Sequence, residues 1–156
     1  MLLCCNNFRV IKNKLLDKIS FNSKKIINIF KSLTLFSDNS KLLMKNFGNK
    51  KPTHLYIYGF GLFGRILLLI YKKNKFKNIN FLDNNKQFHN KKYLGTKILN
   101  PNALEKINIK KRRDITVVSS FNDINLSKSI YKSLKGSGLT DYKFIILNWR
   151  NIVGRI

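Results

Sequence analysis

Residues 56–65 of this chain read YIYGFGLFGR, and this stretch decides the fold that we expect. It joins an apolar run of high β-propensity, His54–Tyr58, to a run with helical spacing, Leu62–Lys73. Between the two runs lie three glycines with the spacing GxGxxG, namely Gly59, Gly61 and Gly64. A strand that passes through such a turn into a helix is typical of the first βα unit of a nucleotide-binding fold.

Each glycine has a separate predicted role in this turn. Gly59 permits the tight turn, Gly61 lets the backbone approach a pyrophosphate, and Gly64 allows the helix to pack closely on the strand. The helix that follows offers free N–H groups and a partial positive charge to the phosphate. Arg65, in the first helical turn, can add a charge-assisted contact. The remaining residues of the predicted phosphate site are Phe60, Leu62 and Phe63.

The acid that such a motif requires is also present. Asp83 follows the next predicted strand, 19 residues after Gly64, where its carboxylate can accept hydrogen bonds from ribose hydroxyls. An Asp here favours NAD or another unphosphorylated ribose over NADP, and Asn84 can add a polar contact. Ser119 and Ser120 end a later strand at the same edge and are candidates for ligand contact or for helix capping. The alternative for the whole motif is a glycine-rich turn that binds no ligand.

Strand and helix signals alternate after residue 53. This alternation predicts the α/β class, as a small Rossmann-like three-layer domain over residues 53–156 with a mostly parallel sheet of about five strands. Helices are predicted at Leu62–Lys73 and Asp123–Leu134, a short helix is predicted from Pro101, and a polar loop at Asn84–Lys92. The predicted strands are His54–Tyr58, Asn78–Leu82, Thr96–Leu99, Ile115–Ser120 and Tyr142–Leu147.

The sequence of residues 1–52 predicts a basic amphipathic helical extension. Its helical spacing covers residues 8–46 with a break at residues 37–40, after which a short helix at Lys41–Phe47 is closed by Gly48. Three roles are possible for this extension. It can pack on the core or on a partner subunit, anchor the chain in the plane of a membrane, or act as an organelle transit segment. Cys4 and Cys5 are the two cysteines of the chain, and adjacent cysteines rarely pair, so we expect a reducing compartment.

The charge of the chain is strongly positive, with 31 Lys and Arg against 7 Asp and Glu, a net charge of +24. No apolar run reaches the roughly 18 residues of a spanning helix. Three explanations account for the positive charge: compositional bias, binding to an anionic membrane surface, and binding to nucleic acid. Nucleic acid is the least favoured because Lys greatly outnumbers Arg, which makes the bidentate contacts to phosphate and guanine. We expect a cytoplasmic location, or a peripheral one at the inner face of the membrane.

Residues 54–148 resemble the Rossmann-like N-terminal domain of bacterial sugar O-acyltransferases of the sialic-acid O-acetyltransferase type, and similar domains of other polysaccharide-biosynthesis proteins. The matching stretches are YIYGFG at 56–61 with Gly64-Arg65, NFLDNN at 80–85, and LGTKILNP at 94–101 with Leu104. The resemblance implies a nucleotide-sugar or dinucleotide ligand. The hexapeptide-repeat domain that holds the catalytic His and the acetyl-CoA site of those enzymes has no counterpart here, so acetyl transfer is not carried over.

No catalytic constellation is visible in the sequence. His54 and His89 lack neighbouring acids, and no paired carboxylates, metal-ligand spacing or Tyr-x-x-x-Lys dyad occurs. We therefore expect a binding module for a nucleotide or nucleotide sugar in surface-polysaccharide or glycan biosynthesis, beside a separate catalytic partner protein. The alternatives are an NAD-dependent sugar-modifying enzyme completed by oligomerisation, and a basic membrane- or RNA-binding protein on a ligand-free Rossmann-like fold.

Overall fold

The computed structural model describes residues 40–48, 51–108, 112–136 and 141–147. These ranges belong to one compact unit of the chain, Leu35–Ile156. The helices expected within residues 8–33 and the pair Cys4-Cys5 lie outside the described residues. In the ranges that are described, no helix combines the length and the apolar character needed to cross a membrane.

Three helices and six strands make up the described part of the chain. Short 3-10 helices at Lys86–Phe88 and Pro101–Leu104 lie between them. In chain order the elements are α1 (Ser40–Lys45), β1 (His54–Tyr58), α2 (Leu62–Lys73), β2 (Ile79–Leu82), β3 (Lys92–Tyr93), β4 (Thr96–Leu99), β5 (Ile115–Ser119), α3 (Ile124–Gly136) and β6 (Lys143–Ile146).

The strands form one sheet in the order β3-β4-β2-β1-β5-β6, and all neighbours are parallel except the antiparallel pair β3 and β4. The chain moves outward from β1 to β2 and β4, then returns to the other side of β1 for β5 and β6. Its direction therefore reverses between β1 and β5, whose last residues Tyr58 and Ser119 are paired. In parallel sheets of this kind, ligands bind outside the carboxyl ends of the strands at such a reversal.

Helical layers cover both faces of the sheet. Tyr56, Tyr58 and Val117 face one side, where they pack with Ile130 and Leu134 of α3. Because side chains alternate along a strand, Leu55 and Ile57 of β1 face the other side, and both are fully buried. After His54, the residues of the central strands β1 and β5 are buried on both faces, as the sequence predicted. This mostly parallel α/β sheet is a small Rossmann-like domain.

The second face is covered by α2, which packs on β1. Its buried stripe includes Leu67, Leu68 and Tyr71. The turn after α1 joins this layer through Phe47, whose ring lies 5.5 Å from that of Tyr71 and 5.0 Å from that of Phe76, centroid to centroid. The predicted short helix before Gly48 is thus present as α1, and Gly48 follows it with a φ of +66°.

The region between β2 and β4 differs from the predicted polar loop at Asn84–Lys92. It contains the 3-10 helix Lys86–Phe88 and then the two-residue strand β3, which forms a hairpin with β4. The turn of the hairpin is Leu94-Gly95, with both residues at positive φ. A two-residue strand is too short to leave a periodic signal, so the sequence predicted about five strands rather than six.

Candidate functional site

The glycine-rich turn connects the end of β1 to the start of α2. Gly59 has a φ of +100°, and its N–H donates to the carbonyl oxygen of Leu82 at 2.7 Å. A Cβ on Gly59 would lie 2.6 Å from Oγ of Ser120. Both the left-handed backbone and the lack of space restrict this position to glycine.

The third glycine of the motif is a packing position. Gly64 is buried in the first turn of α2, and a Cβ there would lie 2.0 Å from the carbonyl oxygen of Gly59. Backbone meets backbone at this contact, so no side-chain movement can make room. The close helix-to-turn approach predicted from the motif is present in the structure.

Gly61 differs from the other two glycines. Its φ of −65° and ψ of −171° are accessible to any residue, and nothing lies within 4 Å of the position its Cβ would occupy. It is the N-cap of α2, and no side chain caps this helix end. Neither backbone strain nor crowding within the described residues therefore accounts for a glycine here. The Cβ position of Gly61 is therefore open space at the N-terminus of α2.

The other helix at this edge of the sheet has a capped end. At the start of α3, Oδ1 of Asp123 accepts hydrogen bonds from the N–H groups of Asn125 at 2.7 Å and Leu126 at 3.2 Å. This carboxylate occupies the position that an external anion would take. Of the two helix ends beside β1 and β5, the one after the glycine turn has no side-chain cap.

Asp83 lies within hydrogen-bond distance of the glycine turn. Its Oδ2 accepts from the N–H of Phe60 at 2.7 Å, and its Oδ1 accepts from the N–H of Asn85 at 2.8 Å. Its backbone carbonyl oxygen lies 2.7 Å from Nε2 of His89. A carboxylate has about four acceptor sites, so two bonds to the backbone leave capacity for ribose hydroxyls. The half-buried Asp83 thus holds the turn and remains able to contact a ligand.

Asn84 is exposed and is oriented by the strand beside it. The hydroxyl of Tyr58 donates to Oδ1 of Asn84 at 3.0 Å. Burial raises the pKa of Tyr58 above its ordinary value, and the negative charge of Asp83 raises it further. Asn84 keeps its amide group as a donor at the edge of the site.

Arg65 turns toward an aromatic cluster. Its Nε donates to the carbonyl oxygen of Phe60 at 3.2 Å, and its guanidinium lies 4.3 Å from the ring centroid of Phe60 and 5.4 Å from that of Tyr93. The buried Phe60 ring also meets the rings of Phe81 and Phe88 edge to face, each at 5.1 Å. Phe60 is therefore a core residue whose backbone, rather than ring, belongs to the turn.

Two further predicted site residues, Leu62 and Phe63, begin α2. Leu62 is 39% exposed beside Gly61, whereas Phe63 is half-buried. An exposed leucine at the first helical position gives the open helix end an apolar side. The sequence offered no signal for Tyr93, a residue of the hairpin whose ring contacts Phe60 and Arg65.

The two serines at the end of β5 are buried and hydrogen-bonded. Oγ of Ser119, with no exposed surface, lies 2.7 Å from Oγ of Ser127 in α3. Oγ of Ser120 lies 2.8 Å from the carbonyl oxygen of Tyr58 and 3.1 Å from that of Gly59. Ser120 therefore supports the glycine turn from beneath, and Ser119 ties the strand to the following helix.

No metal-binding group is brought together in the described ranges, where no three His, Cys, Asp or Glu side chains could hold an ion. His54, at the start of β1, lies at the opposite end of that strand from the glycine turn. His89 is held against the backbone of Asp83. Arg112, which precedes β5, donates to the carbonyl oxygens of Ile107 at 2.9 Å and Glu105 at 2.7 Å.

Comparisons with known proteins add no argument to what the strand order shows. No protein-family model and no curated protein sequence matches the chain. Among solved structures, the crystal structure of UDP-D-quinovosamine 4-dehydrogenase from Vibrio fischeri matches with a TM-score of 0.44 and 25% identity, over 62% of this chain and 79% of that chain. This match is too distant to add to the strand order, on which the Rossmann-like assignment rests. None of these comparisons supports the resemblance to sugar O-acyltransferases.

Proposed function

We propose that the chain is a nucleotide-binding module that holds a diphosphate at the start of α2 and a ribose beside Asp83. The observation that carries the proposal is Gly61, a glycine that the fold does not require, at the uncapped N-terminus of a 12-residue helix. A phosphate seated on the first N–H groups would need the space that a side chain at this position would take.

The place of the site in the sheet supports the same conclusion. The turn lies where the strand order reverses between β1 and β5, and the neighbouring α3 is capped by Asp123. The carboxylate of Asp83 is positioned by Phe60 and Asn85 next to the turn. Its negative charge disfavours a phosphate on the ribose, which argues for an unphosphorylated ribose rather than NADP.

Two classes of ligand are candidates for this site, a nucleotide sugar and NAD. The motif resemblance over residues 54–148 favours a nucleotide sugar and a role in surface-polysaccharide or glycan biosynthesis. The titratable side chains at the turn have structural partners, since Asp83 and Arg65 bond to the backbone of Phe60 and His89 bonds to the backbone of Asp83. We therefore propose a binding module that works with a separate catalytic protein. An NAD-dependent sugar-modifying enzyme completed by a second subunit is the alternative.

Thermal stabilisation of the full chain by a ligand panel tests the proposal. The panel contains NAD, NADP, UDP-sugars, CMP-sugars and acetyl-CoA, in about 0.3 M salt to screen nonspecific attraction of phosphates to lysines. A ligand at 100 times its Kd stabilises the fold by about 2.7 kcal/mol, which raises Tm by several degrees.

The matched variants are Gly61→Val and Gly136→Val, because a Cβ at Gly136 in α3 also meets nothing within 4 Å. A selective shift that is lost only in Gly61→Val supports a nucleotide site. Its preference within the panel separates the nucleotide-sugar and dinucleotide candidates. The absence of any shift in the folded wild-type protein contradicts the proposal.

A further inference from the structure

A second surface lies at the amino ends of the strands, whereas the glycine turn lies at their carboxyl ends. Because α2 runs back along the sheet, its last turn lies near the amino ends of the strands, where the hairpin β3–β4 also turns. We define the lysine patch by exposed lysines on both elements: Lys72, Lys73 and Lys75 from the end of α2, and Lys92 and Lys97 from the hairpin.

Contacts within the described residues hold the two halves of the patch together. Nζ of Lys72 donates to the carbonyl oxygen of Leu94 at the tip of the hairpin. Lys92 and Lys97 are directly paired across β3 and β4. Their side chains leave the sheet face opposite α2, because Ile98, next to Lys97, is in register with Phe81 on the α2 face. The lysines of the patch therefore flank the hairpin tip from both sides of the sheet. The lysines of the patch have no carboxylate partner among the described residues.

The surrounding sequence leaves this charge uncompensated. Between residues 39 and 104, thirteen Lys and Arg face a single acid, Asp83, which lies at the other edge of the sheet beside the glycine turn. Like charges placed this close repel one another, so the fold itself gains nothing from their arrangement. An external anionic surface would compensate them.

Leu94, in the turn of the hairpin, supplies an independent observation. It is 47% exposed and has a φ of +49°, with Gly95 after it at +77°. Two-residue hairpin turns with both residues at positive φ strongly favour Asn, Asp or Gly at the first position, because other side chains are strained there. An exposed apolar side chain in a strained backbone position at a hairpin tip contributes little to the fold, and such outliers point to function.

We propose that the lysine patch with Leu94 docks on an anionic lipid bilayer. The lysines lie over acidic headgroups while Leu94 enters the interfacial region between them. Lipid is favoured over RNA because single-stranded RNA is bound by stacking on exposed aromatic rings, and the aromatic residue of the tip, Tyr93, is half-buried against Phe60. Docking through this edge leaves the glycine turn facing away from the membrane, and the inference does not depend on the proposed function.

Vesicle binding of the full chain tests the lysines. The partition coefficient is measured by co-sedimentation with phosphatidylcholine vesicles containing about one third phosphatidylglycerol, and with pure phosphatidylcholine. The test variant is Lys73→Gln, Lys92→Gln and Lys97→Gln together. The control is Lys128→Gln, Lys132→Gln and Lys135→Gln on α3, which removes the same charge from other exposed positions.

At roughly fivefold per lysine near an anionic surface, we expect the patch variant to bind at least tenfold more weakly and the control to change by less than half as much. Equal losses in both triple variants would show that only net charge matters and would overturn the proposal. Tighter binding of a single-stranded RNA that depends on the same patch lysines would replace lipid by RNA and also overturn it.

A single substitution tests the strained leucine. Leu94→Asn should keep or raise Tm, because Asn tolerates the left-handed backbone, and should lower vesicle binding several-fold. Leu126→Asn is the matched control, since Leu126 is 43% exposed in α3 outside the patch. Unchanged vesicle binding by a folded Leu94→Asn protein would contradict the insertion of this side chain.

Discussion

The Cβ that Gly64 lacks would stand 2.0 Å from the carbonyl oxygen of Gly59, whereas the one that Gly61 lacks would stand in open space. The three glycines of one motif therefore serve different ends. Gly59 and Gly64 build the turn and press α2 against it. The fold does not require a glycine at position 61, which is where a phosphate would contact the N-terminus of the helix.

Gly64→Ala should be severely destabilising, by about 3 kcal/mol or more, because the clash is with backbone that cannot move aside. Urea denaturation of the two proteins measures the difference. Gly136→Ala in α3 is the control, and we expect it to be neutral or stabilising by up to about 1 kcal/mol, as for Gly to Ala in a helix. A Gly64→Ala protein of wild-type stability would contradict the described contact.

Asp83→Ala should lower the free energy of unfolding by about 1–3 kcal/mol, since the N–H groups of Phe60 and Asn85 both lose their acceptor. Asp83→Asn keeps one acceptor oxygen and should lose less. If Asp83 also contacts a ribose, Asp83→Asn should weaken nucleotide binding by more than its effect on stability explains. Denaturation and calorimetric titration on the same samples separate the two effects.

The hydroxyl groups of Tyr71 and Tyr142 are buried without a hydrogen-bond partner among the described residues. Phe removes such a hydroxyl without opening a cavity, so Tyr71→Phe and Tyr142→Phe should be neutral or stabilise the protein by up to about 1 kcal/mol. Thermal or urea unfolding checks both. A loss of stability on the scale of a broken hydrogen bond would mean that the hydroxyl has a partner.

Stability should fall in alkaline solution. Burial first, and then the nearby Tyr131 and Tyr58, raise the pKa of Tyr142 from 10.0 to about 12. The unfolded chain releases this proton at a lower pH than the folded chain, so the stabilisation present below pH 10 is lost between about pH 10 and pH 12. The stability of wild type relative to Tyr142→Phe should therefore decrease across that window. A difference that is flat with pH would contradict the raised pKa.

Long, strongly patterned elements were predictable from the sequence. The bounds of β1 and α2 match the predicted runs His54–Tyr58 and Leu62–Lys73. The pattern is unambiguous there because β1 has four consecutive buried residues and α2 spans three helical turns. The hairpin was missed because β3 has only two residues and depends on pairing with β4. Its turn, Leu94-Gly95, lacks the usual Asn or Asp at the first position.

The candidate site was predictable in its backbone and less so in its side chains. The motif indicated the glycine turn and the nearby acid, and the structure brings Asp83 to 2.7 Å from the N–H of Phe60. The direction of Arg65 could not be predicted, since it depends on the ring of Tyr93 from the missed hairpin. The burial of Ser119 depends likewise on its contact with Ser127 in a later helix.

The most direct test of the central claim is ligand-induced stabilisation of the wild-type chain and of Gly61→Val. We predict that both proteins fold with similar Tm without ligand, and that a nucleotide sugar or NAD raises Tm by several degrees in wild type but not in the variant. Equal stabilisation of both proteins, or none of the wild type by any ligand of the panel, would contradict the assignment of the glycine turn as a nucleotide site.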